Sequence, residues 1–170
     1  LALGLTGSAA AADLKVGYID SARIFQDYKD AQEAQARFDR QAQGWRDEAL
    51  EKEKLVKQLR DEMRDQSPIL SALKRQEKEE ALQKAIAEHE RFVQSIWGPQ
   101  GRAAQENERT THEIVEQIRA VVEKIASEKG LDLVFDSAGG FLIYADKSLD
   151  LTAEVIRQLN ERSTSGTGGR

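Results

Sequence analysis

The residues able to do chemistry are few and scattered. The two histidines, His89 and His112, both fall in charge-rich stretches with no nucleophile beside them, which leaves nothing for a base to activate. His89-Glu90 does not open a zinc-protease helix, because Val93 stands where the second histidine must be. Asp132, Asp136, Asp146 and Asp150 would suit a hard cation, but their spacing lacks the D-x-D-x-D-G loop of a calcium site, and Asp132 and Asp136 read as outward strand residues. Gly98, Gly101 and the Gly139-Gly140 pair are not phosphate loops, since no Lys-Ser/Thr pair follows them. The absence of cysteine excludes disulfides and thiolate chemistry. The reading is a protein without catalytic residues, metal or other cofactor, working by binding alone.

Positioning falls to long helices. Charged residues make up 32% of the 170-residue chain and aromatic residues only 6%, too little apolar material for a large globular core. The net charge of −5 speaks against nucleic-acid binding and against docking on anionic lipid through overall charge. Steps of four and three from Ile24 give Tyr28, Ala31, Gln35, Phe38, Ala42, Trp45, Ala49, Lys52, Val56, Leu59 and Met63. Only Gln35 and Lys52 break that seam, the pattern of a coiled coil. Ser67-Pro68 stops the helix. A second helical stretch runs to about Lys129, interrupted at Trp97-Gly98-Pro99-Gln100-Gly101, and its clearest stripe is Thr111, Ile114, Val115, Ile118, Val121, Val122 and Ile125. Gly130 reads as the C-cap. A hairpin folded at Ser67-Pro68 sets Phe38 near Trp97 and Trp45 near Glu90.

Around the hairpin the period is two. KVGYID (residues 15–20) is a strand followed by an Asp20-Ser21 helix cap. Leu131, Leu133 and Phe135 mark a second strand and Phe141-Leu142-Ile143-Tyr144 a third, before a short amphipathic helix over residues 152–162 carrying Val155, Ile156 and Leu159. The predicted fold class is therefore α+β and helix-dominated, with a long antiparallel coiled-coil hairpin projecting as one insertion from a small β body. The body takes residues 13–20 and 130–162, the hairpin 21–129 with its tip near 67–68, and 163–170 form a disordered Gly/Ser/Thr tail. Residues 1–12, LALGLTGSAAAA, read as the end of a cleaved secretory signal with an Ala10-Ala11-Ala12 cleavage site, which implies an exported protein. Three short strands leave two open edges, so self-association is the physical default.

Three runs carry a family likeness: KVGYID with ARIFQDY, WGPQGRAAQE in the returning helix, and GLDLVFDS with GGFLIYADKSLDLTAEVIRQLN near the C-terminus. With the order of elements over residues 14–160, they make the chain resemble the Skp (OmpH) family of periplasmic chaperones. The resemblance implies a homotrimer in the Gram-negative periplasm, with a central barrel of strands and three tentacles. It also implies ATP-independent binding of unfolded outer-membrane proteins until membrane insertion. On that reading the strand residues Val16, Tyr18, Leu133, Phe135, Leu142 and Tyr144 form the oligomer interface. Phe38, Trp45, Leu59, Met63, Phe92 and Trp97 knit the hairpin or touch clients, with knitting favoured. The best-known members are strongly basic and this chain is acidic; residues 46–66 hold six Lys/Arg against seven Asp/Glu. Lipopolysaccharide binding therefore does not carry over, although Lys74, Arg75 and Lys78 near the tip could meet anionic lipid. The alternative is a secreted coiled-coil spacer or assembly factor without unfolded clients, and a prefoldin-like cytosolic chaperone is a third reading.

Overall fold

The structure, a computed structural model, describes residues 13–167. The expected signal segment and the last three residues of the expected tail lie outside the described residues. In chain order the elements are β1 (Val16–Ile19), α1 (Ser21–Asp27), α2 (Lys29–Gln66), a 3-10 turn (Ser67–Ile69), α3 (Ala72–Trp97), α4 (Arg102–Lys129), β2 (Leu133–Asp136), a second 3-10 turn (Lys147–Leu149) and α5 (Thr152–Thr167). The chain divides into two compact units, one of residues 13–32 and 115–167, the other of residues 33–114.

The first unit is built on a parallel pair. Val16 lies beside Leu133 and Tyr18 beside Phe135, while Gly17 and Ile19 face Val134 and Asp136. The chain from Asp150 to Leu151 lies along the other edge of β1, through a bridge to Tyr18 and a 2.8 Å bond from the Leu151 N–H to the Tyr18 carbonyl. Gly17 is buried beneath Leu151 and Leu131, where a side chain would have to displace leucine methyls. Asp20 caps α1 by accepting the Arg23 N–H at 3.0 Å, and Thr152, itself buried, accepts the Asp20 N–H at 2.9 Å. The core of this unit is aliphatic: Ile19, Ile24, Ile118, Val121, Ile125, Leu151, Val155 and Leu159, with Tyr28 and Ala31. The stripe on α4 is narrower than expected, because Thr111 and Val115 are exposed. Gly130 ends α4 at φ +63°, and the Leu131 N–H reaches back to the Ala126 carbonyl at 2.8 Å, closing a Schellman turn.

Two expectations for this unit change. Residues 141–144 are not a strand, and the sheet has two strands rather than three. An apolar run has β-propensity only as far as something pairs with it, and among the described residues nothing pairs with this one. The expected tail is helical as far as Thr167. The hydroxyls there bond back along the helix: Ser163 Oγ donates to the Leu159 carbonyl at 3.1 Å and Thr164 Oγ1 to the Glu161 carbonyl at 2.8 Å.

The second unit is a helical hairpin. Lys78 pairs with Glu62 at 3.1 Å, the Lys52 ammonium lies 5.3 Å from the centre of the Phe92 ring, and Trp45 packs with Ala42 and Ile96. These pairings set α2 and α3 antiparallel, with Leu70, not Ser67-Pro68, midway between Glu62 and Lys78. The displacement has a local cause. Pro68 sits in the first turn of a 3-10 helix that carries the chain on to Leu70, and Ser71 then caps α3 by accepting the Lys74 N–H at 3.3 Å. Trp45 consequently meets Ile96 and Phe92 rather than Glu90.

Candidate functional site

Among the described residues the candidate sites are surfaces. The first is the open face of the β1–β2 pair. Side-by-side residues of a parallel pair point to the same side, so Val16, Leu133, Tyr18 and Phe135 share a face. Val16 and Tyr18 are half-buried, while Leu133 and Phe135 are 46% and 49% exposed. Parallel strands are ordinarily covered on both faces. Here one face lies on the core and the other is apolar and uncovered. Partial burial, then the negative charges of Asp150 and Asp146, push the Tyr18 phenol above its ordinary value and keep it neutral.

The segment after β2 holds further exposed apolar residues. Phe141, Ile143 and Tyr144 are the most exposed large apolar side chains of the first unit, and Leu142 is half-buried. Leu142 and Tyr144, expected as strand residues, lie in irregular backbone. Phe141 and Ile143 are more exposed than either and belong with them. The GGFLIYAD run held that signal, since apolar residues stand at every position from 141 to 144 and no single buried face explains all four.

Carboxylates hold the frame of this face. Asp132 Oδ2 accepts the Lys15 N–H at 2.8 Å at the start of the pair. Asp136 Oδ1 accepts the Ser21 N–H at 3.1 Å and the Ala138 N–H at 3.0 Å at its end. Burial alone would raise the Asp136 pKa, but the bonds from Ser21 and Ala138 outweigh it and hold the carboxyl below its ordinary value. Both aspartates therefore tie backbone together, a role that outward-facing strand positions did not reveal. Among the described residues no cluster of His, Asp and Glu is arranged to hold a metal ion.

The second surface is the hairpin. Trp45 is buried against Ala42 and Ile96, with Phe38, Phe92 and Ala103 partly buried around them. The Arg102 guanidinium lies 5.7 Å from the centre of the Trp45 ring, a geometry in which the π face attracts the cation. Trp97, expected in the seam, is 42% exposed; its neighbour Ile96, fully buried, takes that place. Gly98 and Gly101 explain the switch. A Cβ on Gly101 would overlap the Ile96 carbonyl, so the chain folds tightly over Ile96 and turns Trp97 outward. Along α2, Ala34 is buried and Gln35 is exposed, donating to Asp39 at 2.9 Å, so the seam steps past the expected polar break. Leu59 and Met63 are half-buried, and Lys52 joins the seam through its bond to the Phe92 ring. Further along the hairpin, Leu50, Val56 and Ile86 floor a cleft of about 620 Å³ rimmed by Lys54, Lys57, Arg60, Glu53, Glu90 and His89. Such a surface offers apolar contact and mixed charge together. Among the described residues no helix is long and apolar enough to cross a membrane.

The comparisons agree on a family. The model of the family described as "Outer membrane protein (OmpH-like)" matches residues 15–159. A curated relative, "Chaperone protein Skp" of Yersinia enterocolitica, is 26% identical over 161 residues, covering 94% of each chain. A crystal structure of an OmpH-like outer membrane chaperone from Caulobacter crescentus superposes with a TM-score of 0.78 at 13% identity, over 94% of this chain and 92% of that one, and shares the fold. The match of sequence over nearly the whole described chain, on a helical hairpin and a two-stranded body, places this protein in the OmpH-like family of outer membrane proteins.

Proposed function

We propose that the protein is an ATP-independent holdase chaperone of the Gram-negative periplasm, which binds unfolded outer-membrane proteins and keeps them from aggregating before membrane insertion, and that it acts as a homotrimer. Membership of the OmpH-like family and the likeness to the Skp chaperone of Yersinia enterocolitica support the chaperone role. The observation that carries the assembly is the uncovered apolar face of Val16, Tyr18, Leu133 and Phe135, together with the exposed, unpaired apolar run 141–144. A two-stranded sheet is marginal alone, and copies that pair their edges and cover these faces remove both liabilities. Leu142 and Tyr144 then gain in the assembly the strand partners that one copy lacks. The hairpin supports holding without chemistry, because apolar patches such as Leu50, Val56 and Ile86 alternate with long charged stems. Many weak contacts of this kind bind unlike unfolded chains and release them without nucleotide.

The test is direct. Purified protein is added to a urea-unfolded porin at the moment of dilution, and light scattering is followed without nucleotide. A holdase suppresses scattering near the stoichiometry of one trimer per client. A coiled-coil spacer, the alternative reading, leaves scattering unchanged. Light-scattering mass in solution reads the oligomer separately.

A further inference from the structure

We propose that a belt at mid-hairpin, framed by Arg40, Arg46, Arg91 and Arg102 and carrying Trp97, selects client segments in which carboxylates flank an aromatic side chain. The inference rests on the holdase reading and names the class of client segment that the hairpin prefers. Two segments run from arginine to arginine with nothing charged between them, RQAQGWR over 40–46 and RFVQSIWGPQGR over 91–102. The contact of Trp45 with Ile96 brings them together. Arg40 and Arg91 each lie five residues from that contact, about 7.5 Å along a helix. Arg46 is nearer, next to Trp45 in sequence, and Arg102 lies over the Trp45 ring.

Charge selects the occupant. All four arginines are exposed. Arg46 donates to Gln43 at 3.2 Å and Arg91 to the Ala87 carbonyl at 3.1 Å, and among the described residues none of the four pairs with a carboxylate. Elsewhere on the hairpin cations are neutralised, Lys74 by Glu77, Lys78 by Glu62 and Arg109 by Glu106 and Glu113. The carboxylates next in sequence to the belt, Asp39 and Asp47, accept from Gln35 and Gln43 instead. Inside the belt, on a chain of net charge −5, the only charges are thus positive. The tight turn over Ile96 adds an exposed indole to them. A guanidinium forms its strongest bonds with a carboxylate, and an indole packs best on another ring. The exposed amides of Gln41 and Gln94 offer donors and acceptors together, which suits a peptide backbone, whereas a polyphosphate can use donors alone.

The experiment titrates the full chain into short, unstructured, fluorophore-labelled peptides and reads anisotropy. The first peptide holds Phe and Tyr between aspartates, the second has lysines for the aspartates, and the third has alanines for the aromatic residues. The first is expected to bind about tenfold more tightly than the others and to weaken as salt rises. Arg40→Gln/Arg91→Gln is expected to lose about fivefold for the first peptide and nothing for the second. Trp97→Ala is expected to lose about tenfold, with helicity by circular dichroism unchanged in both variants. Trp45 is buried and Trp97 exposed, so acrylamide quenching of the wild-type emission reads Trp97 and should fall when the first peptide binds. Equal binding of the three peptides, wild-type binding by the arginine variant, or unchanged quenching would overturn the proposal. So would inorganic polyphosphate displacing the first peptide as well as its unlabelled copy does, which assigns the belt to charge alone. Porin protection measured in parallel keeps the two readings apart. Lost peptide preference with wild-type protection intact overturns the belt alone, whereas a wild type that neither protects porin nor binds any peptide overturns the holdase reading and the belt with it.

Discussion

The Asp136 carboxylate accepts the backbone N–H of Ser21 at 3.1 Å, joining the end of β2 to the start of α1 across more than a hundred residues of sequence. The same oxygen accepts the Ala138 N–H, so one side chain fixes a helix start and a turn together. The bond joins two segments of the first unit between which the hairpin lies in sequence.

That bond makes stability sensitive to acid. The hydrogen bonds hold the Asp136 carboxyl below its ordinary value against the cost of burial. The unfolded chain therefore takes up this proton first as pH falls. The stabilisation is complete above the ordinary aspartate value near pH 4 and is lost as pH drops through the native value. Asp136→Asn should lower stability at pH 7 by about 1 kcal/mol, a modest figure because the group is largely solvent-exposed. The variant should also show a flatter stability profile below about pH 4. Urea unfolding at fixed protein concentration, repeated across that range, reads both effects.

Tyr28 has the opposite dependence. Its ring is buried in the aliphatic core of the body, and its hydroxyl, at the part-buried margin, lies 2.6 Å from Gln117 Oε1 and 2.9 Å from Asp30 Oδ2 and shares one proton between them. Burial, with the Asp30 hydrogen bond second, pushes the phenol up from 10.0 to about 12. The unfolded chain loses this proton first as pH rises, so the contribution is intact below pH 10 and lost between 10 and about 12. Tyr28→Phe should destabilise the protein by about 1–2 kcal/mol at pH 7 by leaving Gln117 and Asp30 without the hydroxyl. It should also remove this part of the alkaline loss, measured by thermal unfolding at pH 8 and pH 11.

The open β face yields a prediction about assembly. Phe135 sits beside Tyr18 on the uncovered side of the sheet, and about half of its surface is exposed to solvent. Phe135→Glu should leave the helical content of an isolated copy unchanged and abolish self-association, because a carboxylate cannot be desolvated in an apolar interface without a partner. Light-scattering mass should fall from trimer to monomer. An unchanged mass would move the interface elsewhere and leave the apolar face without a role.

How much of this was legible in the sequence depended on whether a signal was local. The caps at Asp20 and Gly130 and the break at Gly98-Pro99 each rest on a few adjacent residues, and the periodicity located the helices around them. The register of the hairpin was not legible, because the number of residues used in the turn decides it. Three residues spent in a 3-10 turn moved the partner of Trp45 from Glu90 to Ile96. The run 141–144 was misread for a related reason. Its strand-forming residues are plain in the sequence, but a strand is a pairing, and among the described residues nothing pairs with this run. The assembly roles proposed for Leu142 and Tyr144 rest on contacts outside a single chain, which no residue pattern within it can spell out.

Two glycines separate a functional break from an incidental one. Gly44 lies in the interior of α2, and a Cβ there would meet nothing within 4 Å. Gly44→Ala should therefore stabilise the protein by about 0.5–1 kcal/mol, by removing conformational entropy from the unfolded chain. Gly101 is buried, its N–H donates to the Gly98 carbonyl at 2.8 Å, and a Cβ would strike the Ile96 backbone, which is not a flexible side chain that could move aside. Gly101→Ala must open the turn and draw Ile96 away from Trp45. The loss is expected to lie at about 2–4 kcal/mol, the range for a disturbed core contact. Thermal unfolding of both variants at one protein concentration would show Tm shifts of opposite sign. If Gly101→Ala were neutral, the tight turn over Ile96 would not be what directs Trp97 outward, and the break would be a mere interruption between α3 and α4.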